Sequence, residues 1–204
     1  MKLVEGHGYF GEGKYKSRDE NGNKTKCYNT WKHMLVRCYN KKFKEKYPTY
    51  NDVTICKEWL CFQNFAKWYE ENYYEIEGEK MQLDKDILVK GNKMYSPETC
   101  VFVPQRINEL FTKSNKVRGD YPIGVSYHKR DNILQVRCNV YDKLTNKKRI
   151  VNITRLPINR PFQAFTYYKN FKENYIKEVA EEYKDMIPKK LYEAMYRYEV
   201  EIND

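Results

Sequence analysis

The chain has 204 residues, which is enough for one large domain or two small ones. Aromatic residues make up 16% of it, and this content argues against disorder because disordered chains lack the apolar area that offsets chain entropy. The net charge of +10 at pH 7 favours a polyanionic partner such as nucleic acid. A lysine-rich surface that serves solubility alone is the alternative.

The sequence shows no pattern for membrane insertion or export. No window approaches the roughly 20 apolar residues of a membrane span, and residues 1–6 lack the apolar core of a signal peptide. We therefore expect a cytoplasmic protein with no membrane partner and with its six cysteines reduced.

The first half of the chain predicts a domain of mixed helices and strands. Residues 1–27 are rich in Gly and Lys and show no apolar periodicity, so we expect a loop there. A domain of residues 28–111 follows. Apolar spacing and turn residues predict, in order, a helix over 28–39, a strand over 53–55, a helix over 58–73, a strand over 81–89, a turn at Gly91-Asn92, a strand over 99–103 and a short helix over 105–111.

A basic linker of residues 112–121 precedes a second domain over residues 122–204. Turn residues separate three predicted strands, over 123–128, 134–141 and 149–153. Asn159 and Pro161 give a helix start signal, and this helix is predicted to reach about Asp185. Pro188 ends it, and a last short helix covers 189–199. The predicted fold class is α+β.

Charge is unevenly distributed along the second half. Residues 112–155 hold eleven Lys/Arg and three Asp, a net charge of +8, whereas residues 173–204 hold nine acidic and five basic residues, a net charge of −4. Because phosphate binding needs clustered cations, this distribution favours DNA contact by the strands and linker. The alternative is a small β3α domain with an incidentally basic surface.

Alternation along the predicted strands divides the side chains between two faces. The face predicted to pack on the helix carries Val125, Tyr127, Leu134, Val136, Cys138, Val151 and Ile153. The outward face carries Ser126, His128, Gln135, Arg137, Asn139, Asn152 and Thr154. Arg, Asn and Gln are the side chains that read base edges in the major groove. The predicted DNA-binding set also includes the basic residues in or beside the turns, namely Arg130, Lys147, Lys148 and Arg149.

Three short segments follow one another in the first domain: Leu-Asp-Lys-Asp-Ile at 83–87, Gly-Asn-Lys at 91–93 and Tyr-Ser-Pro-Glu-Thr-Cys at 95–100. Together they resemble the core of the HNH-type nuclease modules common in phage genomes. The resemblance implies metal-dependent phosphodiester hydrolysis with Mg²⁺ or Mn²⁺. It also implies a catalytic set of Asp84, Lys85 and Asn92, with Asp84 and Asp86 as metal ligands. If the chain is phage-encoded, we expect the protein in the cytoplasm of the host cell.

The resemblance departs from the HNH pattern at Lys85, where the general-base histidine is expected. An ordinary lysine is protonated at neutral pH and takes up no proton. His33, on the first predicted helix, is a possible replacement base. Asp84 and Asp86 are predicted to share a strand face, as a Mg²⁺ site allows. The alternative is that both only form ion pairs, with Lys85 or Lys90.

The second domain resembles the AP2 DNA-binding domain over roughly residues 119–180. The matching segments are Ile-Gly-Val-Ser-Tyr-His at 123–128, Leu-Gln-Val-Arg at 134–137 and Ala-Phe-x-x-Tyr at 164–168. In phage genomes this domain is often fused behind HNH modules. The resemblance implies that a sheet reads double-stranded DNA.

Two function classes therefore stand open. One is a sequence-specific homing-type endonuclease that nicks or cleaves DNA, and the other is a catalytically inactive DNA-binding regulator or blocker of the same descent. RNA binding is a weaker third class. Cys38, Cys56, Cys61 and Cys100 could form a zinc site, but their long spacings favour buried thiols.

Overall fold

The computed structural model describes residues 3–112, 119–142, 147–202 and 204. It is a mixed α+β protein, as the sequence predicts, and it divides into two compact units, Met1–Asn108 and Glu109–Asp204. The greater part of the predicted linker and the predicted turn at residues 145–146 lie outside the described residues.

The first unit combines helices with two small sheets. Its helices are α1 (Lys26–Tyr39), α2 (Lys41–Lys46) and α3 (Phe62–Asn72), with 3₁₀ turns at Pro48–Tyr50 and Lys57–Leu60, and α4 (Gln105–Leu110) begins at its end. Its strands are β1 (Thr54–Ile55), β2 (Met81–Asp84), β3 (Met94–Tyr95) and β4 (Val101–Pro104). Strand β1 pairs with β3 in parallel, and β2 pairs with β4 in antiparallel orientation.

Aromatic residues form the core of the first unit. Trp31, Leu35 and Cys38 of α1 are buried, as are Phe62, Phe65 and Ala66 of α3. The indole N–H of Trp31 donates to the carbonyl of Trp59 at 2.7 Å. The N-terminal segment packs on this core without regular secondary structure. A Cβ on Gly8 would overlap the side chains of Trp31 and Leu35, so only glycine allows this close approach.

The second unit is a three-stranded antiparallel sheet with two helices. The strands are β5 (Val125–His128), β6 (Ile133–Tyr141) and β7 (Lys148–Pro157), in that spatial order. Helix α5 (Pro161–Tyr183) and helix α6 (Lys189–Tyr196) follow. The predicted strands and helices are confirmed, and β7 extends four residues beyond its predicted end at Ile153. Leu134 and Val136 are fully buried in the core, together with Ala164 of α5.

Gly124 fixes the contact between the sheet and α5. It has φ +75°, and a Cβ at this position would overlap the ring of Tyr168 on α5. Both the conformation and the close approach therefore require glycine. None of the helices in the described ranges is long and apolar enough to span a bilayer.

A β-bulge in β7 changes which residues share a face. Val136 pairs with Thr154 but the next residue, Arg137, pairs with Asn152, so Ile153 is the extra residue. Directly opposite residues point to the same side of a sheet. Thr154 therefore lies on the face of the buried Val136, and Arg155, opposite Gln135, points to the other face.

Candidate nucleic-acid interface

The face of the second-unit sheet that points away from α5 will be called the outer face. The pairing register arranges its side chains in five rows across the strands: His128, Ile133 and Pro157; Ser126, Gln135 and Arg155; Arg137 and Asn152; Asn139 and Ile150; and Tyr141 and Lys148. No position in these rows is acidic. The predicted site residues that the structure brings together here are Ser126, His128, Gln135, Arg137, Asn139, Lys148 and Asn152.

Arg137 lies at the centre of the outer face and is exposed. Its Nη2 donates to the hydroxyl of Ser126 on the neighbouring strand at 3.1 Å, and its backbone N–H donates to the carbonyl of Gly124 at 2.9 Å. A guanidinium has five N–H donors, so the contact with Ser126 orients it and leaves the fork available to a ligand.

The structure corrects the predicted outward face at Thr154. This residue lies on the helix side, because the bulge at Ile153 reverses the alternation beyond it. Arg155 takes its place on the outer face and was missed by sequence reasoning. The available signal was the pair of adjacent polar residues between Ile153 and Leu156, which breaks a period of two. Arg155 is exposed, and among the described residues it forms no ion pair.

Tyr127 lies on the helix side as predicted but it is not buried. It pairs with the buried Leu134, yet 41% of its surface is exposed. Its hydroxyl donates to Oδ1 of Asn132 at 2.9 Å, in the turn between β5 and β6. Tyr127 therefore points to the predicted face of the sheet but is not buried there.

Two of the predicted phosphate contacts at the β6–β7 end are already paired. Nζ of Lys148 lies 2.7 Å from Oε2 of Glu109, and the Tyr141 hydroxyl donates to the same oxygen. The hydrogen bond that Lys148 donates to Glu109 raises the pKa of Lys148. Arg149 pairs across the ladder with Val140 on the helix side, with its Nε 3.6 Å from Oδ2 of Asp142. The structure therefore corrects Arg149, which does not share the outer face.

Of the remaining predicted residues, Lys147 and Arg130 lie in or beside turns, and His128 is the last residue of β5. Lys147 is exposed, and its carbonyl accepts the backbone N–H of Asp142 at 2.9 Å. Between β5 and β6, Nε of Arg130 lies 3.2 Å from Oδ1 of Asp131, and Nδ1 of His128 lies 3.2 Å from Oδ2 of the same residue. Asp131 therefore partly neutralises this end of the sheet.

The acidic motif of the first unit has a different geometry from the predicted strand. Strand β2 ends at Asp84, whose Oδ1 accepts the backbone N–H groups of Asp86 at 2.8 Å and Ile87 at 2.7 Å. Such a side-chain turn ends the strand. Asp84 and Asp86 therefore do not share a strand face. Burial, with a smaller contribution from the charge of Asp86, raises the pKa of Asp84 to about 6.

The other residues of the motif serve the loop that follows. Nζ of Lys85 lies 3.0 Å from Oδ2 of Asp86, and the lysine side chain is only 12% exposed. Nδ2 of Asn92 donates to the carbonyls of Lys85 at 2.7 Å and Met94 at 2.6 Å. Asn92 thus holds the loop closed, because its amide is used by the backbone. The ion-pair alternative for Asp86 is present in the structure.

Arg37 is a further charged residue at this place that sequence reasoning missed. It projects from the last turn of α1, where its Nη1 donates to the Tyr95 hydroxyl at 3.4 Å, and it interacts electrostatically with Asp84. No local sequence signal marks it, because the contact arises from packing of α1 against the segment that holds the motif. The buried carboxylate of Asp84 therefore has two cations near it, Arg37 and Lys85.

Asp84 and Asp86 provide few free oxygen ligands for a divalent metal ion. In the described ranges, no group of three or more His, Cys, Asp or Glu side chains could hold a metal ion. One oxygen of Asp84 already binds the backbone, and one oxygen of Asp86 binds Lys85. The residues therefore do not form a preorganised Mg²⁺ or Mn²⁺ site. The four cysteines considered as zinc ligands, Cys38, Cys56, Cys61 and Cys100, are free thiols and form no such group in the same ranges.

His33 lies away from the acidic motif. It lines an open groove of about 840 Å³ together with Lys80 and Met81, at the start of β2, whereas Asp84 ends that strand. Partial burial and the neighbouring cations, first among them Arg37, lower the pKa of His33. The position gives no contact with Asp84.

Comparison with known proteins adds no relative: no protein-family model, no curated protein and no solved structure matches the chain.

Proposed function

We propose that this protein binds double-stranded DNA in a sequence-dependent manner through the outer face of the sheet in its second unit. The observation that carries the proposal is an acid-free face on which Arg137 and Arg155 stand among three amide side chains. These amides belong to Gln135, Asn139 and Asn152. Arg forms two hydrogen bonds with guanine, and Asn or Gln forms two with adenine. The face therefore carries the side chains that distinguish base pairs.

Shape and charge support the same partner. A narrow antiparallel sheet fits the major groove of B-DNA, as in other β-ribbon readers. The segment 112–155, which includes this sheet, carries a net charge of +8. Lys147 and Lys148 lie at the end of the sheet, where they would contact phosphates, and Lys148 would exchange Glu109 for a phosphate.

Of the two functional classes, binding without cleavage is the better supported. The segment that resembles HNH modules has Lys85 where the general-base histidine is expected. Lys85 is a nearly buried cation bound to Asp86. Asn92 is bonded to backbone carbonyls, and the acidic pair offers no preorganised metal site. We therefore propose a DNA-binding regulator or blocker derived from a homing-endonuclease lineage.

The second candidate, a nicking or cleaving endonuclease, rests on one observation. Asp84 is a buried carboxylate at the position of the motif's metal ligand, and two cations, Arg37 and Lys85, lie near it. The test is incubation of the full chain with supercoiled phage DNA and Mg²⁺ or Mn²⁺, scored for nicked circles. Nicking that disappears in Asp84→Ala, with DNA affinity kept, supports this candidate, and the absence of nicking with both metals rejects it.

The binding proposal is tested by fluorescence anisotropy of the full chain with labelled duplexes at a series of salt concentrations. Each neutralised phosphate contributes about −0.9 to the slope of log affinity against log salt. Lys147→Ala should reduce this slope by about one contact, whereas Lys190→Ala should not change it. Lys190 is a matched control because it is exposed and lies in the acidic C-terminal region. A full chain that is folded but binds no duplex at low salt would refute the proposal.

A further inference from the structure

The outer face contains one strongly exposed hydrophobic residue, whose side chain forms no hydrogen bonds with base edges. Ile150 is 59% exposed, more than any other large hydrophobic residue in the described strands. It lies in β7 between Lys148 and Asn152, which point to the same face, and it pairs directly with Asn139 on β6. Single exposed apolar residues are common on protein surfaces. This one stands among polar neighbours, with Lys148 and Asn152 on its own strand and Asn139 opposite it.

We infer that Ile150 is a specificity-determining residue that contacts the C5-methyl group of thymine. The inference rests on the proposed function and assigns a base to one position of the outer face. The thymine methyl is the only apolar group that a base pair presents in the major groove, and aliphatic side chains make apolar contacts with it.

The partner of Ile150 strengthens the assignment. Directly opposite side chains on an antiparallel pair have Cβ atoms about 5 Å apart. Asn139 and Ile150 therefore present an amide and an apolar group side by side. Across the major groove, an A·T pair presents N7 and N6 of adenine and then O4 and the methyl group of thymine. The row of Asn139 and Ile150 is thus complementary to a single A·T pair.

The register also gives a distance to the next contact. Arg137 precedes Asn139 by two residues on β6, about 7 Å along the strand. Two base-pair steps of B-DNA span about the same length. The A·T pair read by Ile150 should therefore lie about two base pairs from the G·C pair read by Arg137. Charge complementarity identifies DNA as the occupant, because the rows contain no acid.

The test is selection of bound duplexes from a random library by the full chain. Two libraries are used, one with thymine and one in which deoxyuridine, which lacks the methyl group, replaces every thymine. The wild-type protein should enrich an A·T pair about two steps from a G·C pair in the first library, and its preference for that pair should be weaker in the second. Ile150→Ser should show the weaker preference in both, because Asn139 still reads adenine.

Affinity measurements on the selected duplex complete the test. A single thymine-to-deoxyuridine change at the enriched pair should weaken wild-type binding about fourfold, the factor for one buried methyl group. The same change should not affect Ile150→Ser. Ile158→Ser is the matched control, because Ile158 is also exposed but follows the end of β7, and it should retain the wild-type response.

Two outcomes overturn the inference in different ways. If the protein discriminates among duplexes but no deoxyuridine substitution weakens it, Ile150 does not read thymine and the proposed DNA binding stands. If no duplex is enriched from either library by folded protein, the proposed function fails and the assignment of Ile150 fails with it. The wild-type comparison of thymine and deoxyuridine needs no variant, so it does not depend on how Ile150→Ser folds.

Discussion

The β-bulge at Ile153 makes a prediction that separates the observed register from simple alternation. Arg155 shares the outer face with Gln135, whereas Thr154 shares the helix face with the buried Val136. Arg155→Ala should therefore reduce DNA affinity or discrimination, and Thr154→Ala should leave both unchanged. Uninterrupted alternation from Val151 would give the opposite result, because it would put Thr154 outward.

The magnitude follows from the surroundings of Arg155. It is exposed, and no carboxylate in the described ranges competes for it, so DNA binding breaks no existing ion pair. A bidentate Arg–guanine contact gives about 1–3 kcal/mol of discrimination, or roughly 5- to 150-fold in affinity for the preferred duplex over a random one. Thr154→Ala removes only a half-buried side chain and should change stability by about 1 kcal/mol or less.

The assay is competition anisotropy with a preferred and a scrambled duplex, run on both variants and the wild type at one salt concentration. Urea unfolding of the same samples shows whether either variant is destabilised. Unchanged discrimination in Arg155→Ala together with lost discrimination in Thr154→Ala would refute the bulged register. Equal weakening of both duplexes by Arg155→Ala would show that the residue contacts phosphate instead of a base.

Three further predictions concern single positions. Arg137→Ala should lower discrimination at one base pair by about 1–3 kcal/mol, whereas Lys147→Ala should weaken all duplexes alike, and competition between duplexes distinguishes them. Gly124→Ala should cost about 2–5 kcal/mol in urea unfolding, from positive φ and overlap with Tyr168, and a loss below about 1 kcal/mol would contradict the contact. The raised pKa of Asp84 means that its ionisation opposes folding, so wild-type stability should fall as pH rises from 4 to 7. A change from 3.8 to about 6 corresponds to about 3 kcal/mol, and Asp84→Asn should lack this fall.

Local patterns were sufficient for most elements of the second unit. Pro161 stands in the first turn of α5, as its fixed φ favours, and the alternating apolar residues of β6 are buried as predicted. The pattern failed after Ile153 because a period of two cannot locate an inserted residue in advance. The extra residue, Ile153, moves Thr154 off the outer face and puts Arg155 on it.

The acidic motif shows a second limit of sequence reasoning. The apolar residues from Ile87 to Val89 predicted a continuing strand, but the carboxylate of Asp84 binds the backbone ahead of it and ends β2. An Asp side chain within a strand either points to solvent or binds the following backbone N–H groups and ends the strand, and the sequence alone does not distinguish the two. The contact of Arg37 depends on tertiary packing and has no sequence pattern at all.

The substitution at Lys85 connects the two functional classes through charge. A neutral imidazole there would accept a proton from water, whereas the lysine adds a fixed positive charge beside Asp86. Arg37 and Lys85 are thus balanced by Asp84 and Asp86, and Lys85 is already paired with Asp86. This place therefore has no group to activate water. Lys85 therefore removes the general base that DNA cleavage requires, and this agrees with the proposed function, in which the sheet of the second unit binds DNA without cleaving it.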